Sequence, residues 1–374
     1  MSLLIPPFPA IETTPVIDHL IRNHAPVAFG ASGGKDGAAA ALATYTYLQE
    51  QGHQGPKIII HSDLGRVEHQ DSLPSCERLA NHLDLELVVV RRQAGDMMDR
   101  WLSRWNNNVA RYCDLLCVKL ILPWSTASMR FCTSELKTAV ICRDLVQRFP
   151  GLVILSVSGI RGEESPARAK APICGIQNKL TNKTLQTSGY NWHPILGWTR
   201  EQVIAYHHLL HLPLHKAYLL YNMSRVSCAY CILASLSDLM ASATDPANHD
   251  IYREMVDLEI ISSFSFQDTR WLGEVAPHLL TAQQQRGLQE AKRKAVAREK
   301  IEGVIPKELL YTRGWPTIIP TLEEARLLAD VRCSIADLMQ WSIRYTEPEA
   351  IQARYAELIE KKDARTPQAI VVTH

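Results

Sequence analysis

The sequence predicts an α/β fold: a doubly wound parallel sheet, followed by a helical C-terminal domain. Apolar runs at residues 26–29, 57–61, 85–90 and 152–160 alternate with helical patterns around 38–51, 68–83 and 135–149. Such alternation argues parallel strands joined by crossover helices. A glycine-rich turn, Ser32-Gly33-Gly34-Lys35-Asp36, directly follows the first run. Beyond about Ser235 the strand patterns stop, and 282–300, 322–331 and 348–362 are helical in pattern. The expected division is therefore 1–235 and 236–374.

The first run, Pro26-Val27-Ala28-Phe29, has the length of a buried strand, and the alanine-rich stretch 37–43 reads as a helix lying close on a sheet. The turn between them aims free backbone N–H groups and a positive helix end at one point, where an anion can sit. Gly33 and Gly34 admit a phosphate with no Cβ in the way, and Lys35 adds a positive charge. The second strand runs into His61-Ser62-Asp63-Leu64-Gly65 at the same end of the sheet. A carboxylate at Asp63 can orient magnesium or a ribose hydroxyl, and Gly65 lets the chain turn under an adenine. Leu85-Glu86-Leu87-Val88-Val89-Val90 has the composition of a strand buried on both faces. After the fourth strand, residues 162–197 are rich in Pro, Gly, Asn and Thr and read as long functional loops. His193 reads as a packed loop histidine, and Thr199 with Gln202 as a capping box.

Three further segments carry chemistry. In Arg130-Phe131-Cys132-Thr133-Ser134-Glu135-Leu136-Lys137, Thr133 or Ser134 is expected to cap a helix. Cys132 then stands just ahead of the helix, where a dipole favours a thiolate, and Lys137 lies one turn in, within reach of a phosphate. Ser227-Cys228-Ala229-Tyr230-Cys231 holds a Cys-x-x-Cys, which serves as a redox pair, half a zinc site or part of an iron–sulfur site. The stretch 286–300 is locally basic; it reads as a solvated helix face, with a phosphate-backbone surface for DNA as the alternative. Trp101, Trp105 and Trp124 read as core or rim.

Composition bounds these readings. The 374 residues, 46% hydrophobic and 21% charged, suffice for two ordinary domains. A net charge of +1 confines any nucleic-acid site to a local patch. No stretch has transmembrane length, and Met1-Ser2-Leu3-Leu4-Ile5-Pro6-Pro7 lacks the basic start of a signal peptide, so a cytoplasmic location is expected, with no membrane partner. Nine cysteines in such a chain read as thiols, metal ligands or redox groups.

The glycine turn is not the common nucleotide loop, which needs a glycine where Phe29 stands and Ser or Thr where Asp36 stands. It resembles the PP-loop of the adenine nucleotide α-hydrolase-like superfamily, which cleaves ATP to AMP and pyrophosphate. That loop usually continues with Ser; Gly37 here leaves Ser32 and the backbone N–H groups to compensate. The Arg130–Lys137 segment, Gly159-Ile160-Arg161 with Glu164-Ser165 and Arg168, and His193-Pro194-Ile195-Leu196-Gly197-Trp198-Thr199 are similar, in order, to motifs of the phosphoadenosine-phosphosulfate reductase family. Together they span roughly the first 235 residues. The resemblance implies an ATP and magnesium site. Its binding residues would be Ser32, Gly33, Gly34, Gly37, Asp63, Gly65, Gly159, Glu164 and Arg168, with Lys35, Asp36, Lys137 and Arg161 acting on the phosphates. It also implies that Cys132, Cys228 and Cys231 hold a [4Fe-4S] cluster, with zinc as the rival metal and an oxidisable thiol pair as a third state. The fourth ligand stays open among Cys142, Cys113, Cys117, Cys174 and a non-protein group.

Reductases of this family use a cysteine in a C-terminal Glu-Cys-Gly motif, whereas the last cysteine here is Cys333, in Val331-Arg332-Cys333-Ser334, and 364–374 reads as a loose end. The remaining features resemble the ATP pyrophosphatase of DNA phosphorothioation systems of the Ssp and Dnd types. That likeness implies a cysteine desulfurase and other sulfur-modification proteins as partners. A sulfonucleotide reductase and a catalytically weakened ATP-binding scaffold are the other readings.

Overall fold

The computed structural model describes residues 8–365. Residues 1–7, read above for a missing basic start, and 366–374 of the tail lie outside the described residues. Among the described residues six strands form one sheet: β1 (Val27–Ala31), β2 (Lys57–Asp63), β3 (Glu86–Arg91), β4 (Val153–Val157), β5 (Cys174–Ile176) and β6 (Ser188–Trp192). Their order is β3-β2-β1-β4-β6-β5, parallel throughout except for the antiparallel edge pair β5–β6. The α/β expectation holds.

Alternation along the strands loads both faces of the sheet. Val27, Phe29, Ala31 and Ile59 enter one core with Ala39 and Leu42 of the helix Lys35–Glu50 and Leu79 of the helix Ser72–Leu83. Ala28, Ile58, Ile60 and Ile154 enter the other, with Cys142, Leu145 and Val146 of the helix Ala139–Arg148. Small alanines let Lys35–Glu50 lie close on the sheet, as their run in the sequence implies.

Two elements differ from expectation. β3 is an edge strand, so Val89 is 42% exposed and only Val88 is fully packed; leucine and valine content does not say whether a strand has neighbours on both sides. The stretch 162–197 contains β5 and β6 as well as loops. Ser188-Gly189-Tyr190-Asn191-Trp192 lacks the β-branched residues that announce a strand, and Gly189 is required there because a Cβ would stand 2.6 Å from Ile154 O. His193 is buried, with Nδ1 2.8 Å from Pro172 O, and Thr199 caps the helix Arg200–Leu209 reciprocally with Gln202, both as expected.

The chain forms two compact units, but they do not part at residue 235. Of the described residues, the first comprises those up to 98 and 125–252; the second takes 99–124 together with those from 253 onward. In the second unit Trp101, Trp124 and Phe266 pack edge to face. A separate cluster joins Leu115 and Val118 to Leu328 and Tyr355 of the helices Leu322–Met339 and Pro348–Arg365. The tryptophans are core. On the basic helix, Ala282–Gly303, Lys292 pairs with Glu274 and Arg293 with Glu290, so part of its positive charge is already met. No described helix is long and apolar enough to cross a membrane.

Candidate functional site

β1 pairs with β2 on one side and β4 on the other, so the connections leaving β1 and β4 diverge at a topological switch point, where open sheets bind ligands. The first unit has an open cleft there, of about 900 Å³ counted to its mouth. Ser32, Gly34, Asp36 and Gly37 form one wall, and Ser158, Gly159, Glu164 and Arg168 a second. Arg130, Thr133 and Lys137 come from a third segment; Tyr218, Arg225, Val226 and Ser227 close the remaining side.

The loop wall is built from backbone. Gly34 precedes the first turn of Lys35–Glu50 and caps it with no side-chain bond; Lys35 N donates to the Tyr218 hydroxyl at 3.4 Å, and the N–H groups of Asp36 and Gly37 are left for a ligand. Gly33 has φ 76°, and a Cβ on it would meet His215 Cδ2 at 3.0 Å and Ser72 Cα at 3.1 Å. Gly159 is required for a different reason: its Cβ would stand 2.1 Å from Asp36 O, so the loop after β4 rests directly on the glycine turn. Gly37, where the superfamily usually has Ser, lies under Gly30 O, with 3.3 Å available for a Cβ.

The charged residues singled out in the sequence fall into two groups. Lys137 and Arg168 line the cleft, although Arg168 also holds Glu164. Lys35 and Arg161 are buried and line none of it. Lys35 Nζ lies 3.2 Å from Asp36 Oδ2 and 4.9 Å over the Tyr218 ring; Arg161 Nε lies 2.6 Å from Asp36 Oδ1, and Arg161 also pairs with Glu163. Burial opposes the charge on Arg161, but Asp36, Glu163 and Glu164 outweigh it and raise its pKa. Arg161 therefore holds Asp36 in place, away from the cleft lining where a contact to the phosphates was expected. Glu164 binds Arg161 N at 3.2 Å and Arg168, so it braces this loop.

Asp63 and Gly65 are not brought into the cleft. Asp63 Oδ1 accepts from Gly65 N at 2.7 Å, closing its own turn. Gly65 has φ 71°, and a Cβ there would stand 2.4 Å from Asp96 Cβ. Close packing on Asp96 by itself requires a glycine here.

The segment bearing Lys137 holds the main local surprise. The helix starts at Phe131, behind Arg130, so Cys132 lies inside its first turn and neither Thr133 nor Ser134 caps it. Ser134–Thr138 then widens into a π-type turn before Ala139–Arg148 continues. Such a turn displaces carbonyls from the helical ladder. Here Ser62 Oγ donates to Leu136 O and Lys179 Nζ to Ser134 O, each at 2.5 Å. Lys137 sits in this turn, and its side chain forms no hydrogen bond or ion pair among the described residues. The same is true of Arg225, which the sequence reading missed along with Tyr218. The only local signal for Arg225 was its place three residues before Cys228.

Around the cysteines, backbone pairing joins Glu68 to Cys228, and Ala229 N donates to Val67 O at 2.8 Å. Burial pushes the Cys228 thiol up to about 12; Lys137 opposes this, while Cys231, Glu68 and Cys132 add to it. The three thiols thus share one neighbourhood. Among the described residues, however, no three Cys, His, Asp or Glu side chains stand in an arrangement that could hold a metal ion. The thiols do not fit a cluster as they stand, and no chemical step is assigned to one. Of the candidate fourth ligands, Cys142 lies in the sheet core, Cys174 on edge strand β5, and Cys113 and Cys117 in the second unit.

His61 connects loop and cysteines. Its Nδ1 is 3.0 Å from Ala31 O and 3.7 Å from Cys76 Sγ, and its Nε2 is 3.1 Å from Glu68 Oε2. Burial disfavours its charge, but the bonds to Cys76 and the Glu68 carboxylate prevail and push the imidazole up to about 10.

Residues 26–234 match the family model described as phosphoadenosine phosphosulfate reductase domain. Two solved structures are similar. One is phosphoadenylyl-sulfate (PAPS) reductase from Candida auris in a phosphate complex, 13% identical with TM-score 0.35, covering 59% of this chain and 98% of that one. The other is the U34-tRNA thiolase NcsA from Methanococcus maripaludis with its [4Fe-4S] cluster, 14% identical with TM-score 0.34, covering 74% and 75%. No curated protein matches the chain.

Proposed function

The chain belongs to the phosphoadenosine phosphosulfate reductase domain family, and on that premise we propose that it is an ATP pyrophosphatase. It activates a substrate by adenylation for sulfur incorporation, with a DNA phosphodiester as the acceptor. One observation carries this reading. The uncapped helix start at Gly34 opens into the same cleft as Lys137 and Arg225, two cations whose side chains form no hydrogen bond or ion pair among the described residues.

In this reading the loop N–H groups hold the β- and γ-phosphates, and magnesium supplies charge neutralisation on their oxygens. A non-bridging oxygen of the DNA phosphodiester attacks the α-phosphorus. The bond from that phosphorus to the bridging oxygen breaks, and its electron pair leaves with pyrophosphate. Lys137 and Arg168 face the charge that gathers there, while Asp36, fixed by Lys35 and Arg161, keeps the loop in shape. The terminal sulfur of a carrier persulfide, charged by a cysteine desulfurase, then attacks the DNA phosphorus and expels AMP. A thiol displaces the carrier cysteine's sulfur as a disulfide, supplying the two electrons that leave sulfide-level sulfur on phosphorus. In this reading Cys228 and Cys231 are the candidate thiols for that displacement.

The test is ATP labelled at the α-phosphate, with magnesium and DNA, and product separation. AMP and pyrophosphate are expected. ADP and orthophosphate would overturn the reading, inactivity with partners and DNA present would favour the scaffold, and sulfite release from phosphoadenosine phosphosulfate with thioredoxin would favour the reductase.

A further inference from the structure

We propose that Tyr218 is a positioning residue that ties the nucleotide loop to the cysteine segment, so that nucleotide in the cleft is felt at Cys228 and Cys231. Tyr218 lies on the short helix Lys216–Leu219 and lines the cleft. Its hydroxyl oxygen accepts from Lys35 N at 3.4 Å and from Val226 N at 3.1 Å. The first donor belongs to the opening turn of the loop helix; the second stands two residues before Cys228. A single oxygen thus joins two segments 191 residues apart, from Lys35 to Val226.

The same side chain makes a second tie. Lys35 Nζ lies over the Tyr218 ring at 4.9 Å and reaches Ser224 O at 3.5 Å. Any shift of Lys35 toward a phosphate therefore changes contacts with the ring and with the segment that leads to Cys228. Burial raises the phenol pKa, so the group stays neutral, and with its oxygen accepting twice its own proton is left to donate. An anionic phosphate in the cleft is the acceptor this proton suits, which would tighten the tie when nucleotide binds.

The inference rests on the reading that the cleft takes a nucleotide. The test uses the full chain with a non-hydrolysable ATP analogue and magnesium. Analogue affinity is measured by calorimetry, and anaerobic alkylation of Cys228 and Cys231 by iodoacetamide is followed by peptide mass spectrometry. In the unmodified protein, saturating analogue is expected to change the alkylation rate about tenfold, the scale of an ordinary coupling free energy. Tyr218→Phe keeps the ring and removes the hydroxyl; it should bind the analogue within about threefold, the scale of one hydrogen bond, and lose most of the rate change. Tyr221→Phe, outside this cleft, should behave like the unmodified protein. A Tyr218→Phe protein that keeps the full rate change, or an unmodified protein that binds the analogue without one, overturns the inference. Failure of the analogue to bind the unmodified protein overturns the nucleotide reading, and the inference with it.

Discussion

Arg332 in the second unit and Lys137 in the first are both cations held among protein groups, and their surroundings differ in kind. Arg332 is fully buried, and its guanidinium meets four carbonyls: Tyr112 O at 2.9 Å, Arg344 O at 2.6 Å, and Cys113 O and Tyr345 O at 3.3 Å. Glu259, in the same unit, is buried under three backbone N–H donors, from Leu272 at 2.7 Å, Phe266 at 2.8 Å and Gly273 at 3.0 Å. Lys137 lines an open cleft, and its side chain bonds to nothing among the described residues. A saturated buried charge organises the fold around it, whereas an unsaturated one beside a cleft is available to a ligand.

Arg332→Met should break this contrast on the structural side. It removes the guanidinium from four carbonyls, of which Tyr112 O and Cys113 O keep the backbone donors Leu115 N and Arg344 N, and is expected to cost about 4 kcal/mol, read as a fall in the second unit's melting transition by calorimetry. Lys35, Asp36 and the cleft belong to the first unit, so analogue affinity should change little. Gly159→Ala should be nearly as costly within the first unit, about 3 kcal/mol, because its Cβ meets backbone at Asp36 O. In addition it should abolish analogue binding, and normal affinity would show that the loop after β4 does not set the glycine turn.

Lys137→Met should do the opposite of Arg332→Met. Pyrophosphate release is expected to fall about a hundredfold, the scale of one lost contact to developing charge, with the melting temperature unchanged. A stability loss without a rate loss would place Lys137 with Arg332 among structural charges.

Glu259 sharpens the comparison through pH. Burial raises its carboxyl to about 7 despite the N–H bonds, so the folded chain keeps a proton that the unfolded chain releases above its ordinary value. Stability of the second unit should therefore be full below the ordinary carboxyl value of 4.5 and decline as pH rises from there through about 7, by about 3 kcal/mol. Glu259→Gln should remove most of that slope in melts taken between about pH 4 and about pH 8, values chosen to bracket the window; Glu302, raised in the same direction, accounts for the remainder. The smallest effect is expected from reversing Lys292, Arg293 and Lys294 together. Two of the three are already paired, so DNA association at low salt should weaken by less than about tenfold, and a larger loss would promote this helix to a genuine contact surface.

The sequence by itself determined what depends on near neighbours along the chain. The α/β class followed from alternating periods, and the glycine turn from five consecutive residues whose backbone forms the cradle. The Thr199 capping box was legible for the same reason: all its partners lie within three residues. Only the tertiary structure decided what depends on which segments meet. β3 lies at the edge because β2 has β1 as its other neighbour, and β6 is a strand because β4 offers it a partner. Arg161 faces Asp36 rather than the cleft because the loop after β4 lands on the glycine turn at Gly159. The π-type turn persists where Ser62 and Lys179, both remote in sequence, take up its carbonyls, and Tyr218 and Arg225 enter the cleft through contacts that no local pattern encodes. Propensity and capping act within a few residues, but burial, ion pairing and close backbone approach are settled between segments brought together by the sheet.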